Sequence, residues 1–286
     1  MTNIDQFESV FKAADKPQFA PEAVRFASML VVTTLETEQA RSFEQHASGF
    51  LAGTGSSPSL ETRLVTNDDF TEVSQLLQLV EETQPDLICT YRNLKRPARD
   101  YPYSLGVFVD VLTQATKVPV LLLPTMETIA EHECRLESRS RVMAITDHLT
   151  GDHHLVSFAA QVTQADGTLW LAHLEDLVTF ERYMETISKI PSIDTDSARQ
   201  ALLEQLLQEP HDYIKSCKEV LASSADRIVV EEIIQLGHRL TDYKRLVEQH
   251  EIDLVVMNTK DEDQLAMHGV AYPLTVELRQ TPLLLV

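Results

Sequence analysis

Residues 79–87 read LVEETQPDL and residues 246–254 read LVEQHEIDL, so the pattern Leu-Val-Glu, four residues, Asp-Leu occurs twice, 167 positions apart. Each copy leads into a short apolar run, which begins at Ile88 in the first copy and at Val255 in the second. A helical pattern followed by a short apolar run predicts a helix that passes into a buried strand. This repeat determines how the rest of the chain is divided.

Two further features accompany the repeat in the same order. A glycine stands 13 residues before a proline that opens a terminal apolar stretch, first at Gly106 and Pro119 and again at Gly269 and Pro282. Upstream, two apolar stretches correspond, SMLVVTT at 28–34 and RVMAITD at 141–147. Three features in one order indicate an internal duplication, and so long a period predicts two domains rather than a solenoid.

The composition suits two ordinary domains but is strongly acidic. The 286 residues are 43% hydrophobic and carry a formal net charge of −20, which argues against binding to nucleic acid or to an anionic membrane. The N-terminal residues lack a signal-peptide pattern, and no apolar run reaches the ~20 residues that span a bilayer. The three cysteines form no CxxC spacing. We therefore expect a soluble cytoplasmic protein without membrane insertion.

Apolar periodicity predicts alternating strands and helices, which is typical of a parallel sheet covered by helices. In the first half we predict strands at 28–34, 60–66, 87–91 and 118–123, and helices at 5–15, 36–51, 70–84 and 107–115. In the second half we predict strands at 141–147, 168–175, 227–236, 253–258 and 281–286, and helices at 153–163, 239–250 and 271–280. The strand at 168–175 has no counterpart in the first half, which is therefore expected to be one strand short.

The predicted organisation is two α/β domains in one chain. The first, 1–124, is shortened and has an N-terminal helical extension; a polar linker, 125–140, follows; and the second, 141–286, contains a mostly helical insertion at 177–224. We expect Pro191 and Pro210 to break the insertion into separate helices. Its leucine array predicts packing on the core or as a lid, with a dimer contact as the alternative; it comprises Leu202, Leu203, Leu206 and Leu207.

In order and spacing, these features resemble the universal stress protein (UspA-like) family in a tandem arrangement. The resemblance is carried by the two Asp-Leu-apolar strands, the paired glycines and the terminal apolar strands, together with Asp147, and it covers residues 28–124 and 141–286. It implies three-layer domains with mostly parallel sheets, of the adenine nucleotide α-hydrolase-like kind. It also implies a pseudo-two-fold contact between the last strands, 118–123 and 281–286, which would cover their open edges.

Some members of that family bind ATP through a loop of pattern Gly-x2-Gly-x9-Gly-Ser/Thr, and both halves of this chain depart from it. In the second half, Asn258 and Asp261 replace the first two glycines and Val270 replaces the hydroxyl residue. Three carboxylates stand where a triphosphate would lie, on Asp261, Glu262 and Asp263. The first half substitutes Tyr91, Leu94 and Val107, and has Thr34 in place of the aspartate. We expect no cofactor, with an adenine nucleotide as the alternative.

By the same resemblance, a nucleoside pocket would lie at the carboxyl ends of the strands of the second half. Its candidate residues are Asp147, Met257, Asn258, Thr259 and Gly269. AMP or adenosine would fit better than ATP, because the acidic loop repels each added phosphate. The alternative for Asp147 is a residue that only forms the turn after its strand.

Two charged clusters carry further hypotheses. Residues 147–154 (DHLTGDHH) concentrate metal-capable side chains, but no HxxxH or HExxH spacing occurs, so we expect no metal and instead assign Asp152 as a helix N-cap. A basic patch in the first half could hold an anion, a phosphate or an acidic partner segment, or be a solvated loop. It comprises Arg92, Lys95, Arg96 and Arg99.

These observations predict a non-catalytic universal-stress-type regulatory or stress-response protein. It would act through a protein partner, self-association or a small ligand, without the usual ATP loop. The alternative is an adenine-nucleotide (AMP or ATP) switch that uses the second-half pocket. An enzyme of the wider superfamily has the least support, because neither a HIGH-like nor an SGG-type phosphate signature occurs.

Overall fold

The computed structural model describes most of the chain, namely residues 17–52, 60–95, 103–125, 136, 138–223, 227–259 and 269–286. The helix predicted at 5–15, the residues Arg96 and Arg99, and the acidic loop at 261–263 lie outside these residues. No helix in the described part is both long enough and apolar enough to cross a bilayer.

The described residues form strands and helices that mostly alternate, with α5 and α6 as two successive helices. The strands are β1 (Ser28–Val32), β2 (Glu61–Val65), β3 (Leu87–Tyr91), β4 (Val120–Leu123), β5 (Arg141–Ile145), β6 (Thr168–Asp176), β7 (Val229–Gly237), β8 (Leu254–Met257) and β9 (Leu283–Leu285). The helices are α1 (Thr37–Leu51), α2 (Val73–Thr83), α3 (Val107–Ala115), α4 (His153–Val162), α5 (Leu177–Ile187), α6 (Thr195–Leu221), α7 (Arg239–Gln249) and α8 (Ala271–Glu277).

All nine strands belong to one sheet, in the order β2-β1-β3-β4-β9-β8-β5-β6-β7. Every neighbouring pair is parallel except β4 and β9, which run antiparallel. The central strands β3, β4, β8 and β9 are buried along their whole length, as strands covered by helices on both faces must be. The predicted α/β fold with a mostly parallel sheet is confirmed.

The two halves of the sheet meet at the antiparallel β4–β9 pair, as predicted for the last strands. Leu121 stands directly opposite Leu284 in this ladder, between the pairs Val120–Leu285 and Leu122–Leu283. These leucines and the valine are almost completely buried. The junction therefore joins four strands of the first half to five of the second without leaving either terminal strand as an open edge.

The first half is one strand short, but the strand that it lacks is not the predicted one. β6 pairs with β5 as β2 pairs with β1, so the strand predicted at 168–175 does have a counterpart. The strand without a counterpart is β7, which lies outside β6 at the edge of the sheet. In the first half only residues 66–72 connect β2 to α2, too few for the crossover and further strand that a parallel sheet requires.

The insertion forms two helices, and only one of the two predicted breaks occurs. Pro191 lies between α5 and α6, whereas Pro210 lies inside α6, which continues through all 27 residues from Thr195 to Leu221. A proline inside a helix costs about 3 kcal/mol. Here Pro210 is itself buried, and the residues that follow it, including Tyr213 and Cys217, pack into the core. That packing offsets the lost backbone hydrogen bond.

Residues 17–26 do not supply the missing strand of the first half but pack on α4 and α6 of the second half. The backbone N–H of Phe19 donates to Ser216 Oγ at 2.9 Å, and that of Glu22 donates to Ser157 Oγ at 2.9 Å. The Phe26 ring lies edge-on to Phe158, with centroids 5.8 Å apart. This segment therefore joins β1 to the helices on the other side of the β4–β9 junction.

Candidate functional site

The predicted nucleoside residues lie around a small cavity at the carboxyl ends of β5 and β8. These strands are adjacent and parallel, so Asp147, which follows β5, and Asn258, which follows β8, reach the same edge of the sheet. The cavity has a volume of about 70 Å³, and its polar lining is Thr146, Asp147, His148, Asp152 and Asn258. Small-molecule sites usually have ~300 Å³ or more. In this arrangement the space suits one or two water molecules.

Asp147 is enclosed by two neighbours. Arg239 Nη1 donates to Asp147 Oδ1 at 2.6 Å, while Arg239 Nε donates to the Leu174 carbonyl at 2.9 Å. On the other side Gly269 has φ +58°, and a Cβ at that position would overlap the Asp147 carboxylate. Asp147 therefore does more than form a turn, because its carboxylate forms an ion pair with Arg239 and packs against Gly269.

The other candidate pocket residues divide into two groups. Met257 and Asn258 line the cavity with Asp147, and Asn258 Nδ2 donates to Asp152 Oδ2 at 2.6 Å. Thr259 is buried and directed away, since its N–H and its Oγ1 donate to the Val286 carbonyl at 2.8 and 3.1 Å. The structure thus brings four of the five candidates together, and Thr259 instead ties β8 to the end of β9.

Asp152 is the N-cap of α4, as predicted. Its Oδ1 accepts the Leu155 N–H at 3.0 Å, and burial raises the pKa of this carboxyl despite the bonds from Leu155 and Asn258. The adjacent histidines face other partners: His153 Nδ1 lies 2.9 Å from the Tyr213 hydroxyl, and His154 Nδ1 lies 2.8 Å from Glu22. Among the described residues, no three His, Cys, Asp or Glu side chains are grouped so as to hold a metal ion.

Replacing Asp152 by alanine should lower the free energy of unfolding by about 1–2 kcal/mol, because the cap of α4 and a bond to β8 are lost together. Asp194→Ala is the matched control, since Asp194 caps the exposed start of α6 by accepting the Ser197 N–H at 2.8 Å and has no comparable tertiary bond. Urea unfolding of the two variants would measure the difference. Equal losses would contradict a role of Asp152 in joining α4 to β8.

In the first half, a tyrosine occupies the corresponding edge. The Tyr91 hydroxyl accepts the Thr34 N–H at 3.0 Å and lies 2.9 Å from Thr34 Oγ1 and 3.3 Å from Thr33 Oγ1. Its ring packs edge-on to Phe43, with centroids 5.3 Å apart. Tyr91 is in the position of the repeat that Asn258 holds in the second half. The polar groups after β1 are therefore satisfied by a side chain from β3.

The structure describes two members of the predicted basic patch, the buried Arg92 and the exposed Lys95, and both donate to backbone carbonyls of this chain. Arg92 is only 8% exposed, and its guanidinium donates to the carbonyls of Thr275, Leu278 and Arg279 at the end of α8. Lys95 Nζ donates to the Phe70 carbonyl at 2.6 Å and lies 4.5 Å from the centre of that ring. A helix C-terminus attracts cations, which explains the position of Arg92. Burial, with Arg279 adding repulsion, lowers the pKa of Arg92 to about 9.

A second cavity, of about 790 Å³, opens at the amino ends of β5, β8 and β9. Seven charged side chains line it, and five of them pair with one another: Arg141 contacts Glu251 and Asp253, and Lys244 Nζ lies 3.0 Å from Glu277. Its position is opposite to the edge at which open α/β sheets bind ligands. The cavity has the size of a ligand site, but most of its charged side chains already pair with one another.

Two residues fill the carboxyl edges of the two halves: Arg239, which sequence reasoning did not identify, and Tyr91, which it named only as the replacement of a glycine. Arg239 comes two residues after the end of β7, and a charged residue so close to the end of a strand is a signal that could have placed it at the same edge as Asp147. Tyr91 offers a weaker signal, because a tyrosine that ends a buried strand is common in cores. Glu175 also lies near Arg239. A hydrogen bond from His173 lowers the pKa of the Glu175 carboxyl, and the charges of His173, Arg239 and His148 lower it further.

No protein-family model and no curated protein matches the sequence. Solved structures do match. A protein of unknown function from Pseudomonas aeruginosa PAO1 is 13% identical, with a TM-score of 0.55 over 91% of this chain and 92% of the other. A candidate universal stress protein from Pseudomonas aeruginosa UCBPP-PA14 is 12% identical, with a TM-score of 0.55 over 91% and 93%. A universal stress protein from Archaeoglobus fulgidus DSM 4304 is 12% identical, with a TM-score of 0.53 over 90% and 95%.

These likenesses extend over both halves of the chain. At 12–13% identity they define the fold. The protein therefore has the α/β fold of universal stress proteins, and the resemblance indicated by the sequence is confirmed at that level.

Proposed function

We propose that this protein is a non-catalytic regulatory protein of the universal-stress type, which acts in a stress response by binding a protein partner. The observation that carries the proposal is the enclosure of Asp147 between Arg239 and Gly269 beside a cavity of about 70 Å³. Tyr91 fills the corresponding edge of the first half. Both edges at which this kind of fold binds ligands are thus occupied by the protein's own side chains.

The second candidate function is an adenine-nucleotide switch in the second half. It is favoured by the convergence of Asp147, Met257 and Asn258 at one edge of the sheet. Nucleoside binding there would require Arg239 to release Asp147, so that the cavity could widen to the ~300 Å³ of an ordinary ligand site. AMP or adenosine would suit it better than ATP, because the sequence of the adjoining loop is acidic.

Thermal unfolding with adenosine, AMP, ADP and ATP, each with and without magnesium, tests the proposal. The single tryptophan, Trp170 on β6, provides the signal. A ligand at about 100 times its dissociation constant adds ~2.7 kcal/mol to the free energy of unfolding and visibly raises the midpoint. We expect no shift with any of the four compounds.

Two other outcomes would change the conclusion. A shift with AMP that is abolished by Asp147→Ala would establish the nucleotide switch in place of the present proposal. A shift with ATP would show that the carboxylates of Asp261, Glu262 and Asp263 do not repel a triphosphate and that the interpretation of the loop is wrong.

A further inference from the structure

The insertion forms an arm that the main core does not bury. The arm consists of α5, the turn after it and the first part of α6, residues 177–209. Its apolar residues recur at i, i+3 and i+4, and all four leucines of the predicted array are half-buried: Leu202, Leu203, Leu206 and Leu207. Arg199, one turn before them on the same face, lies 5.4 Å from the Phe180 ring of α5. The two helices therefore contact each other through Arg199, which also pairs with Glu181, while the four leucines keep part of their surface exposed.

The arm has a small apolar cluster of its own, which is separate from the core of the sheet. Phe180 and Met184 are buried but do not belong to the main core cluster. The second part of α6 is different, because Pro210, Tyr213 and Leu221 are buried, whereas no residue of 195–209 is. Four of the eight large hydrophobic residues exposed in the described part of the chain lie on the arm: Val178 63%, Tyr183 48%, Ile190 42% and Ile193 42%.

A pair of helices cannot enclose an apolar stripe without another layer, which in helical bundles is supplied by further helices. The first part of α6 is 15 residues long, which corresponds to about 22 Å of helix and about four turns of a partner lying alongside it. Leu203, Leu206 and Leu207 stand at i, i+3 and i+4, the spacing with which an amphipathic helix presents an apolar face to another helix. The arm is therefore suited to pack against one further helix.

The charge of the arm indicates what kind of helix this is. Residues 177–209 contain six carboxylates and three cations. Two of the cations are already paired, Lys189 with Glu185 at 2.9 Å and Arg199 with Glu181 at 2.6 Å. A second copy would bring an equally acidic arm on a chain of net charge −20, so self-association through this face would be opposed by repulsion. A basic helix would be attracted.

We propose that the arm binds an amphipathic helix of a partner protein, which covers the leucine stripe with its apolar face and carries lysine or arginine along its flanks. This inference rests on the proposed function insofar as that function acts through a protein partner, and it adds the surface and the chemistry of the partner. It does not depend on whether the cavity beside Asp147 binds a nucleotide.

Two designed 18-residue peptides test the inference with the full chain. Both have leucine at i, i+3, i+4 and i+7, and the remaining helical positions are lysine in one peptide and glutamate in the other. Fluorescence anisotropy at physiological salt should give saturable binding of the lysine peptide and binding of the glutamate peptide that is about tenfold weaker or less. The double variant Leu203→Ser/Leu206→Ser should bind the lysine peptide about tenfold more weakly than the unmodified protein.

The control is Val107→Ser/Leu240→Ser, which removes two exposed hydrophobic residues outside the arm and should leave binding unchanged. Circular dichroism would verify that both double variants keep the fold, as expected for side chains that the core does not enclose. If the Leu203/Leu206 variant bound the lysine peptide as tightly as the unmodified protein does, the interaction would depend on charge alone and the proposal would be overturned. A dimer in sedimentation equilibrium that the same variant abolishes would overturn it in favour of a second copy.

The peptide and nucleotide experiments fail independently. A thermal shift with AMP, together with retained peptide binding, would overturn the proposed function and leave the arm as a docking surface. If no nucleotide bound and the Leu203/Leu206 variant bound the lysine peptide as tightly as the unmodified protein, the arm would not be a docking surface, and the proposed function would stand.

Discussion

Replacing Arg92 by alanine is expected to lower the free energy of unfolding by about 3–4 kcal/mol, the largest effect that we predict for a polar side chain. Arg92 Nε donates to the Thr275 carbonyl at 3.1 Å, and the terminal nitrogens donate to Leu278 at 2.8 Å and to Arg279 at 3.3 Å. These acceptors belong to the last turn of α8, at and after its end, where no further backbone N–H groups are available within the helix. Alanine would remove all of these guanidinium donors and would create a cavity.

Arg92 also links the two halves, because it follows β3 in the first half and reaches a helix of the second. Arg92→Lys keeps a charge but supplies a single nitrogen in place of the planar guanidinium, so we expect an intermediate loss. Arg245→Ala is the control: Arg245 is 61% exposed and pairs with Asp242 on its own helix, so its loss should change stability by less than about 0.5 kcal/mol. Urea unfolding would compare the three. Similar losses for Arg92→Ala and Arg245→Ala would refute the capping role.

The fold could be predicted to a large extent because its signals are local or repeat along the chain. Buried parallel strands are continuous apolar runs, as in β3 and β8, and the repeat places each of them after an equivalent helix. The error about the missing strand has a definite cause. Sequence correspondence is strong at 79–87 and 246–254, whereas β2 and β6 share almost no residues, so their equivalence becomes visible only through their pairing with β1 and β5.

The site was less accessible to sequence reasoning, because its decisive contacts join residues that are distant in the chain. Asp147 and Asn258 could be placed at one edge from the rule that parallel strands share their carboxyl ends. That Arg239 bonds to Asp147 depends on a side-chain direction set by β7, and that Arg92 turns towards α8 depends on the antiparallel junction. A run of basic residues looks the same in sequence whether its members are solvated or, like Arg92, enclosed by helix carbonyls.

The junction itself is the place where a hydrophobic substitution should have its largest effect. Leu284→Ala is expected to lower the free energy of unfolding by about 3 kcal/mol, as usual for a buried leucine that leaves a cavity. Leu284 is 1% exposed and stands opposite Leu121, which is fully buried, so the two side chains are direct cross-strand neighbours. Leu240→Ala, at a position that is 39% exposed, should have a much smaller effect in the same urea titration.

A double-mutant cycle measures whether the β4–β9 contact couples the stabilities of the two halves or whether their cores lie side by side without coupling. Leu121→Ala and Leu284→Ala remove partners across β4 and β9, so their combined loss should differ from the sum of the single losses by at least about 0.5 kcal/mol. Leu284→Ala with Leu76→Ala, which removes a buried side chain of α2, should be additive. Additivity in the first pair as well would mean that the β4–β9 contact contributes little coupling. The connection between the halves would then rest on contacts that cross by other routes, such as those of Arg92, of the N-terminal segment 17–26 and of Arg139, which donates to the Ala52 carbonyl.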